Sequence, residues 1–260
     1  MVLQRPLILI PSFNTGPILR KTVLEVLEGA TPVWVVIDGS TDGSPELIAD
    51  LVSPGHPTFE IVTLARNSGK GAAILHGTRK AVAAGFTHIV TLDADGQHPA
   101  SYIPQYLEIS ARHPDAALLG CPIFDSSAPA VRVAGRKISN FWADLETLRW
   151  GIGDSLFGMR LYPAQKLLEA FESTSFARRF DFDPEIAVRL AWAGVPLINI
   201  PTPVRYPSKD QGGVSQFRYL RDNILLTWMH SRLMLGFAAR LPALLSRGRN
   251  PLAAAYPPPA

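Results

Sequence analysis

Apolar residues follow two alternating rhythms along the first half of the chain. Short β-branched and aliphatic runs occupy residues 7–10, 33–37, 60–64, 88–92 and 116–120, each the length of a strand. Between them apolar positions recur at helical spacing. Leu19, Val23, Val26 and Leu27 share one face of a segment over 17–27 that opens on Pro17, and a second helical segment runs from Gly71 to Ala84 before Gly85. Strands that alternate with helices predict an α/β fold around a mainly parallel central sheet flanked by helices. Right-handed crossovers then bring the loop after each strand to one edge, where open α/β sheets bind ligands.

Beyond Gly120 the rhythm loosens into a predicted helix over 136–150, a turn or strand over 154–162 and a helix over 184–193. Residues 217–245 return to helical spacing, with Leu220, Ile224, Leu225, Trp228, Leu233, Leu235 and Phe237 among scattered arginines. A membrane span needs roughly 20 predominantly apolar residues. Asp222, His230, Arg232 and Arg240 interrupt this segment, which is therefore not expected to cross a bilayer. Two readings stand: an amphipathic helix lying in a membrane surface, or a helix packed across the domain or in a homodimer. The expected division is a main domain over 1–215, a C-terminal amphipathic helical segment over 216–249 and a proline-rich, disordered tail over 250–260.

Composition changes this picture in two places. A formal charge of +3 on 260 residues gives no reason to expect nucleic acid as a partner, but the charge is unevenly placed. From Gly212 onward Asp222 is the only acid, against Arg218, Arg221, Arg232, Arg240, Arg247 and Arg249. The single cysteine, Cys121, excludes an internal disulfide and fits a reducing compartment, with its thiol expected in the core. The apolar run over 6–11 is too short for a secretory signal, so the expected location is cytoplasmic.

The candidate chemistry lies in the loops after the first four strands. The fourth strand runs into Asp93-Ala94-Asp95-Gly96-Gln97-His98. In extended backbone, side chains two apart point the same way, so Asp93 and Asp95 are expected to meet one cation while Ala94 faces the core. Aligned carboxylates repel unless a cation or donors stabilise them. Mg²⁺ or Mn²⁺ is commonly held by one or two carboxylates, with phosphate oxygens and water completing its shell, which points to a nucleoside diphosphate as partner. The alternative is a solvated cap for the following helix, and Gln97 and His98 either reach the metal or cap that helix. Asp38, in Asp38-Gly39-Ser40-Thr41-Asp42-Gly43, is placed to accept from a base N–H or a ribose hydroxyl, or else to cap a turn, the role expected of Asp42. Arg66-Asn67-Ser68-Gly69-Lys70-Gly71 combines glycines, two cations and a helix start, which suits a nucleotide or pyrophosphate. It is not a Walker A loop, because Leu64 and Gly71 stand where that motif needs Gly and Ser or Thr.

With Pro11-Ser12-Phe13-Asn14 after the first strand, the ordered set resembles glycosyltransferase family 2, whose members have the GT-A nucleotide-sugar fold. Within the family the chain is most similar to the polyprenol-phosphate (dolichyl-phosphate) mannosyl- and glucosyltransferases, with a looser likeness to members from bacterial aryl-polyene and related lipid pathways. The likeness continues in Arg136-x3-Asn140, in Asp154 to Arg160, in Phe180-Asp181-Phe182-Asp183-Pro184-Glu185 and in Gly213-Val214-Ser215, and so covers roughly residues 6 to 218. What the resemblance implies is an inverting, metal-dependent transfer of a hexose from a UDP- or GDP-sugar to a lipid-linked acceptor at the cytoplasmic membrane face. It implies Pro11, Phe13, Asn14, Asp38, Arg66, Lys70, Asp93 and Ala94 at the donor, and Asp93, Asp95 and Gln97 at the metal. Arg136 and Arg160 then suit an acceptor phosphate, or pack their stems over the core edge with their heads in water. A phosphate acceptor is already ionised, whereas a hydroxyl acceptor needs a general base, for which Asp181, Asp183 and Asp154 are the candidates. Thr15 and Ile37 stand where the family usually has acids, and Gln216 where the phosphate-acceptor enzymes carry a basic residue. The competing readings are a catalytically silent nucleotide-sugar or lipid-binding protein and a sugar-nucleotide nucleotidyltransferase.

Overall fold

The computed structural model describes residues 3–53, 58–124, 130–205 and 219–256. Among them the strands form one seven-stranded sheet. Its first half contains β1 (Pro6–Ser12), β2 (Val33–Asp38), β3 (Phe59–Leu64) and β4 (His88–Thr91), with α1 (Ile18–Leu27) after β1 and α2 (Lys70–Ala83) after β3. The second half contains α3 (Ile103–Arg112), β5 (Ala117–Ile123), α4 (Ala130–Glu146), β6 (Arg160–Pro163), α5 (Ala164–Glu172), α6 (Phe182–Trp192), β7 (Leu197–Pro203) and α7 (Tyr219–Ser246). The strand order is β3-β2-β1-β4-β6-β5-β7. All pairs are parallel except those of β6, which runs antiparallel to both β4 and β5.

Burial on both faces explains the continuous apolar strands. Leu7 and Leu9 of β1 join Trp34 and Val36 of β2 in a core with α2, α5 and α6, while Ile8 and Ile10 join Val33, Val35 and Ile37 in a second core with α1 and α3. Cys121 lies in the second half of the sheet, 1 % exposed, and burial pushes its thiol up to about 12, as befits an inert core residue.

Three expectations need correction. Asp93 and Asp95 do not lie in a strand, because β4 ends at Thr91 and the pair sits in the turn that follows. The helix expected over 136–150 begins earlier and ends at Glu146, where Leu148 and Arg149 take left-handed φ values of 52° and 55°. The tail, expected to be disordered over 250–260, is held to the domain at its start: Asn250 is 5 % exposed and donates to the Leu197 carbonyl at 2.9 Å, and Leu252 and Tyr256 lie against the core, while residues 257–260 lie outside the described residues. Gly213-Val214-Ser215 and Gln216 lie outside the described residues.

Helix α7 is two-faced. Met229 and Leu233 are buried in the core beside α4 and α6, whereas Leu220, Ile224, Trp228 and Leu235 are exposed. Among the described residues no helix is long and apolar enough to cross a membrane.

Candidate active site

The loops after β1 to β4 meet at one sheet edge, and they do so through their own side chains. Asp38 at the end of β2 is 2 % exposed and accepts the Ser68 and Gly69 amides at 2.8 and 2.7 Å, so it ties the second loop to the third. Asn14 accepts the Thr41 amide at 2.8 Å, and Asp42 accepts the Gly16 amide at 2.8 Å, which ties the first loop to the second. Gly39, at φ 66°, allows this closeness, since a Cβ there would stand 2.5 Å from the Arg66 carbonyl carbon.

A cleft of about 1350 Å³ opens above these loops. Pro11, Phe13, Asp38, Asn67, Lys70 and Asp95 line one end. The other end lies along the seam of α4 and α7, where Ile138, Trp142, Leu226 and Met234 form an apolar wall. Arg136, Arg179 and Arg221 border the same cleft from three different segments. Sequence reasoning missed this far end. The apolar side of α7 was visible as a pattern, but nothing local announces which helix it meets.

Between the two ends lies a cluster of charged groups. Lys70, at the start of α2, places its Nζ 2.7 Å from Asp93 Oδ1 and 2.7 Å from Asp183 Oδ2. Burial alone would lower the Lys70 pKa, but the two carboxylates hold it above the ordinary lysine value. Burial alone would raise Asp93, but Lys70 and the His98 Nε2, 3.2 Å from Asp93 Oδ2, hold it below the usual carboxylate range. Asp95 is raised, first by burial and then by the charge on Asp93. Asp183 is raised by burial against the pull of Lys70, and its Oδ1 is buried without a hydrogen-bond partner. Gly158 makes room for this cluster, since a Cβ there would stand 2.2 Å from Asp93 Oδ2.

The expected site residues separate into those at the cleft and those built into the fold. Pro11, Phe13, Asp38, Lys70, Asp93, Ala94, Asp95, Gln97, Arg136 and Asp183 border the cleft. Arg66 is exposed and is not among its lining residues. Asn14 works in the loop scaffold. Arg160 is wholly buried and donates to the carbonyls of Phe157, Asp183 and Asp154 at 2.8, 2.5 and 3.2 Å, so it is neither at an acceptor site nor solvated. Asp154 Oδ1 takes Arg136 Nη1 at 2.6 Å and the Leu156 and Phe157 amides at 2.9 and 2.7 Å. Asp181 accepts the Ala177 and Arg179 amides at 3.1 and 2.9 Å. Both carboxylates are therefore engaged in shaping the loops, and of the three candidate bases only Asp183 borders the cleft.

Among the described residues no three His, Cys, Asp or Glu side chains gather around one point. A divalent ion would thus rest on the two carboxylates of Asp93 and Asp95, with Gln97 beside them, and draw its other ligands from phosphate and water. The residues fit that arrangement. They are oxygen donors on the cleft wall, and Asp95 is raised by burial and by the adjacent Asp93 charge, both of which a bound cation would offset.

The family model for glycosyl transferase family 2 matches residues 7–171. An undecaprenyl-phosphate mannosyltransferase of Micrococcus luteus is 27 % identical over 217 residues, which span 76 % of this chain and 82 % of that one. A polyprenol monophosphomannose synthase of Mycolicibacterium smegmatis is 25 % identical over 203 residues, 76 % of each chain. Among solved structures, the mannosyltransferase PcManGT from Pyrobaculum calidifontis, in complex with GDP-Man and Mn²⁺, superposes with a TM-score of 0.59 at 19 % identity. It covers 98 % of this chain and 79 % of that one. That likeness concerns the fold, which is the GT-A arrangement expected from the sequence.

Proposed function

The chain belongs to glycosyl transferase family 2, and on that premise we propose that it moves a hexose, with inversion, from a UDP- or GDP-sugar to polyprenyl phosphate or another lipid-linked acceptor. The observation that carries this reading is the single cleft, with nucleotide-type loops at one end and an arginine-bordered apolar seam at the other. The names of the relatives from Micrococcus luteus and Mycolicibacterium smegmatis support a polyprenyl acceptor. In the reaction an acceptor oxygen attacks the anomeric carbon while the bond from that carbon to the nucleoside diphosphate breaks.

The two ends divide the work. Pro11, Phe13, Asn67 and Asp38 frame the nucleotide, and Arg136, Arg179 and Arg221 draw the acceptor phosphate to the other end, with its chain along Trp142, Leu226 and Met234. A metal held by Asp93 and Asp95, with Gln97, would neutralise charge that develops on the departing diphosphate. An ionised phosphate needs no base. Should the acceptor be a hydroxyl, Asp183 is the candidate, because its free Oδ1 and raised pKa suit a proton acceptor bordering the cleft. The exposed apolar sides of α4 and α7 are read as the contact with the cytoplasmic membrane face.

Calorimetric titration with UDP and GDP, each with and without Mn²⁺, tests the donor end. One nucleotide should bind in a metal-dependent way, and Asp95→Asn should lose that dependence and lower kcat/KM by about 10²-fold or more. Turnover that is untouched by chelator and by Asp95→Asn would sink the metal assignment. Absence of transfer to polyprenyl phosphate from any nucleotide hexose, in a protein that binds the nucleotide, would favour a silent binding protein.

A further inference from the structure

We propose that Lys70 is an internal counter-cation that competes with the divalent ion for Asp93, holds the metal-free cleft together, and turns to the donor diphosphate when a metal takes its place. The inference rests on the reading of Asp93 and Asp95 as metal ligands, and its test separates the two.

Three observations carry it. Lys70 Nζ lies 2.7 Å from carboxylate oxygens on two separate segments, Asp93 after β4 and Asp183 at the start of α6, and no other lysine or arginine forms an ion pair with either among the described residues. This ammonium bridges Asp93, partly exposed on the cleft wall, and the buried Asp183, which would repel each other without it. The competition follows from Asp93 itself. One of its oxygens is held by Lys70 and the other by His98, so a cation arriving from the cleft must share or displace one of these partners. His98 is pinned by its ring, packed edge-on to Phe157 at 4.4 Å between centroids. Lys70 is anchored only through a flexible stem and borders the cleft, so it is the partner able to move. Once displaced, its ammonium remains on the wall beside Asn67 and Asp95, within the region assigned to the diphosphate.

The consequence runs opposite to the ordinary expectation for a basic residue beside a metal site. Removing a basic residue that merely orients Asp93 would weaken metal binding. Removing a competitor leaves Asp93 and Asp183 facing each other without the ammonium between them and strengthens it.

The test is Mn²⁺ affinity by calorimetry in the absence of nucleotide, on the full chain and on Lys70→Gln and Lys70→Met. The glutamine keeps a donor between the two carboxylates and so preserves the fold if the methionine does not. Lys70→Gln should bind Mn²⁺ about tenfold tighter than the parent, while UDP or GDP binding to the Mn²⁺-loaded variant weakens. Unchanged or weaker Mn²⁺ binding by Lys70→Gln, with the parent still binding Mn²⁺, would overturn the competition and leave the metal site standing. If neither protein bound Mn²⁺ with or without nucleotide, the metal assignment itself would fall, and this inference with it.

Discussion

Arg136 and Arg160 carry the same guanidinium, yet their surroundings give them different work. Arg160 is 0 % exposed and its donors go to the main-chain carbonyls of Asp154 and Phe157 in the turn before β6 and of Asp183 at the start of α6. Arg136 shares Asp154 but keeps a face on the cleft, between the rings of Phe124 and Phe157. Replacing Arg160 by Met should therefore be a stability mutation, since each buried acceptor left unmatched costs about 1–3 kcal/mol. For a loss of about 3 kcal/mol the Tm should fall by about 5–10 °C, measured by thermal unfolding. Arg221→Ser, on the exposed start of α7, should instead raise KM for a phosphate acceptor with little change in Tm. A raised acceptor KM with unchanged Tm in Arg160→Met would return that residue to the acceptor site. Identity alone could not separate the two arginines, because burial depends on what the rest of the chain stacks above each one.

At the scale of elements, β4 shows how a central strand couples the fold to pH. His88 is 5 % exposed, with Nε2 donating to the Pro114 carbonyl at 2.9 Å and Nδ1 accepting from Thr87 at 2.9 Å. Burial lowers its pKa, opposed by the Pro114 hydrogen bond and by Asp115. The folded state thus resists a proton that the unfolded chain binds near pH 6.5. This contribution is complete above the unfolded pKa and is lost as pH falls through the lowered folded one. His88→Gln should flatten the Tm difference between pH 7.5 and 5.5, and equal slopes in both proteins would show that His88 is not its source. Strands like this one were legible because both faces of the sheet are covered and the code is a plain apolar run. The sequence reading left α3, α5 and β7 unassigned, for different reasons. The helix α3 does carry Ile103, Tyr106 and Ile109 at helical spacing, but it is short and opens on Pro104, a signal it shares with turns. The strand β7 contains Pro201 and Pro203, which argue against a strand in general and are tolerated here because β7 is the edge of the sheet. The identities of Asp93, Asp95 and Asp183 were readable, but the role of Lys70 between them was not, since it needs the starts of two helices, 113 residues apart in sequence, to meet.

The molecule as a whole has a direction, set by how α4 and α7 join. Ser139 and Glu146 of α4 hydrogen-bond the two nitrogens of His230 on α7 at 3.1 and 2.8 Å, a buried seam that fixes the helices side by side. On the outside of that seam α4 exposes Phe141, and α7 exposes Leu220, Ile224, Trp228 and Leu235. On the inside the same helices supply Trp142, Leu226 and Met234 to the cleft. An apolar outer face continuous with an apolar cleft wall suits a lipid acceptor that enters without leaving its bilayer, and Arg221, exposed at the start of α7, suits an anionic headgroup, whereas Arg232, Arg240 and Arg247 are engaged within the fold. Burying a side chain such as Phe contributes about 1.5–3 kcal/mol, so removing two such anchors should be easy to read. Phe141→Ser with Trp228→Ser should reduce binding to anionic phospholipid vesicles at least about tenfold in a flotation assay. Nucleotide binding should stay intact, because neither residue lines the cleft. Lost transfer to lipid embedded in vesicles, with transfer to a short-chain soluble acceptor retained, would place the membrane on this face. If the double variant instead turned a dimer into a monomer and left vesicle binding untouched, the covered partner of α4 and α7 would be a second copy of the chain.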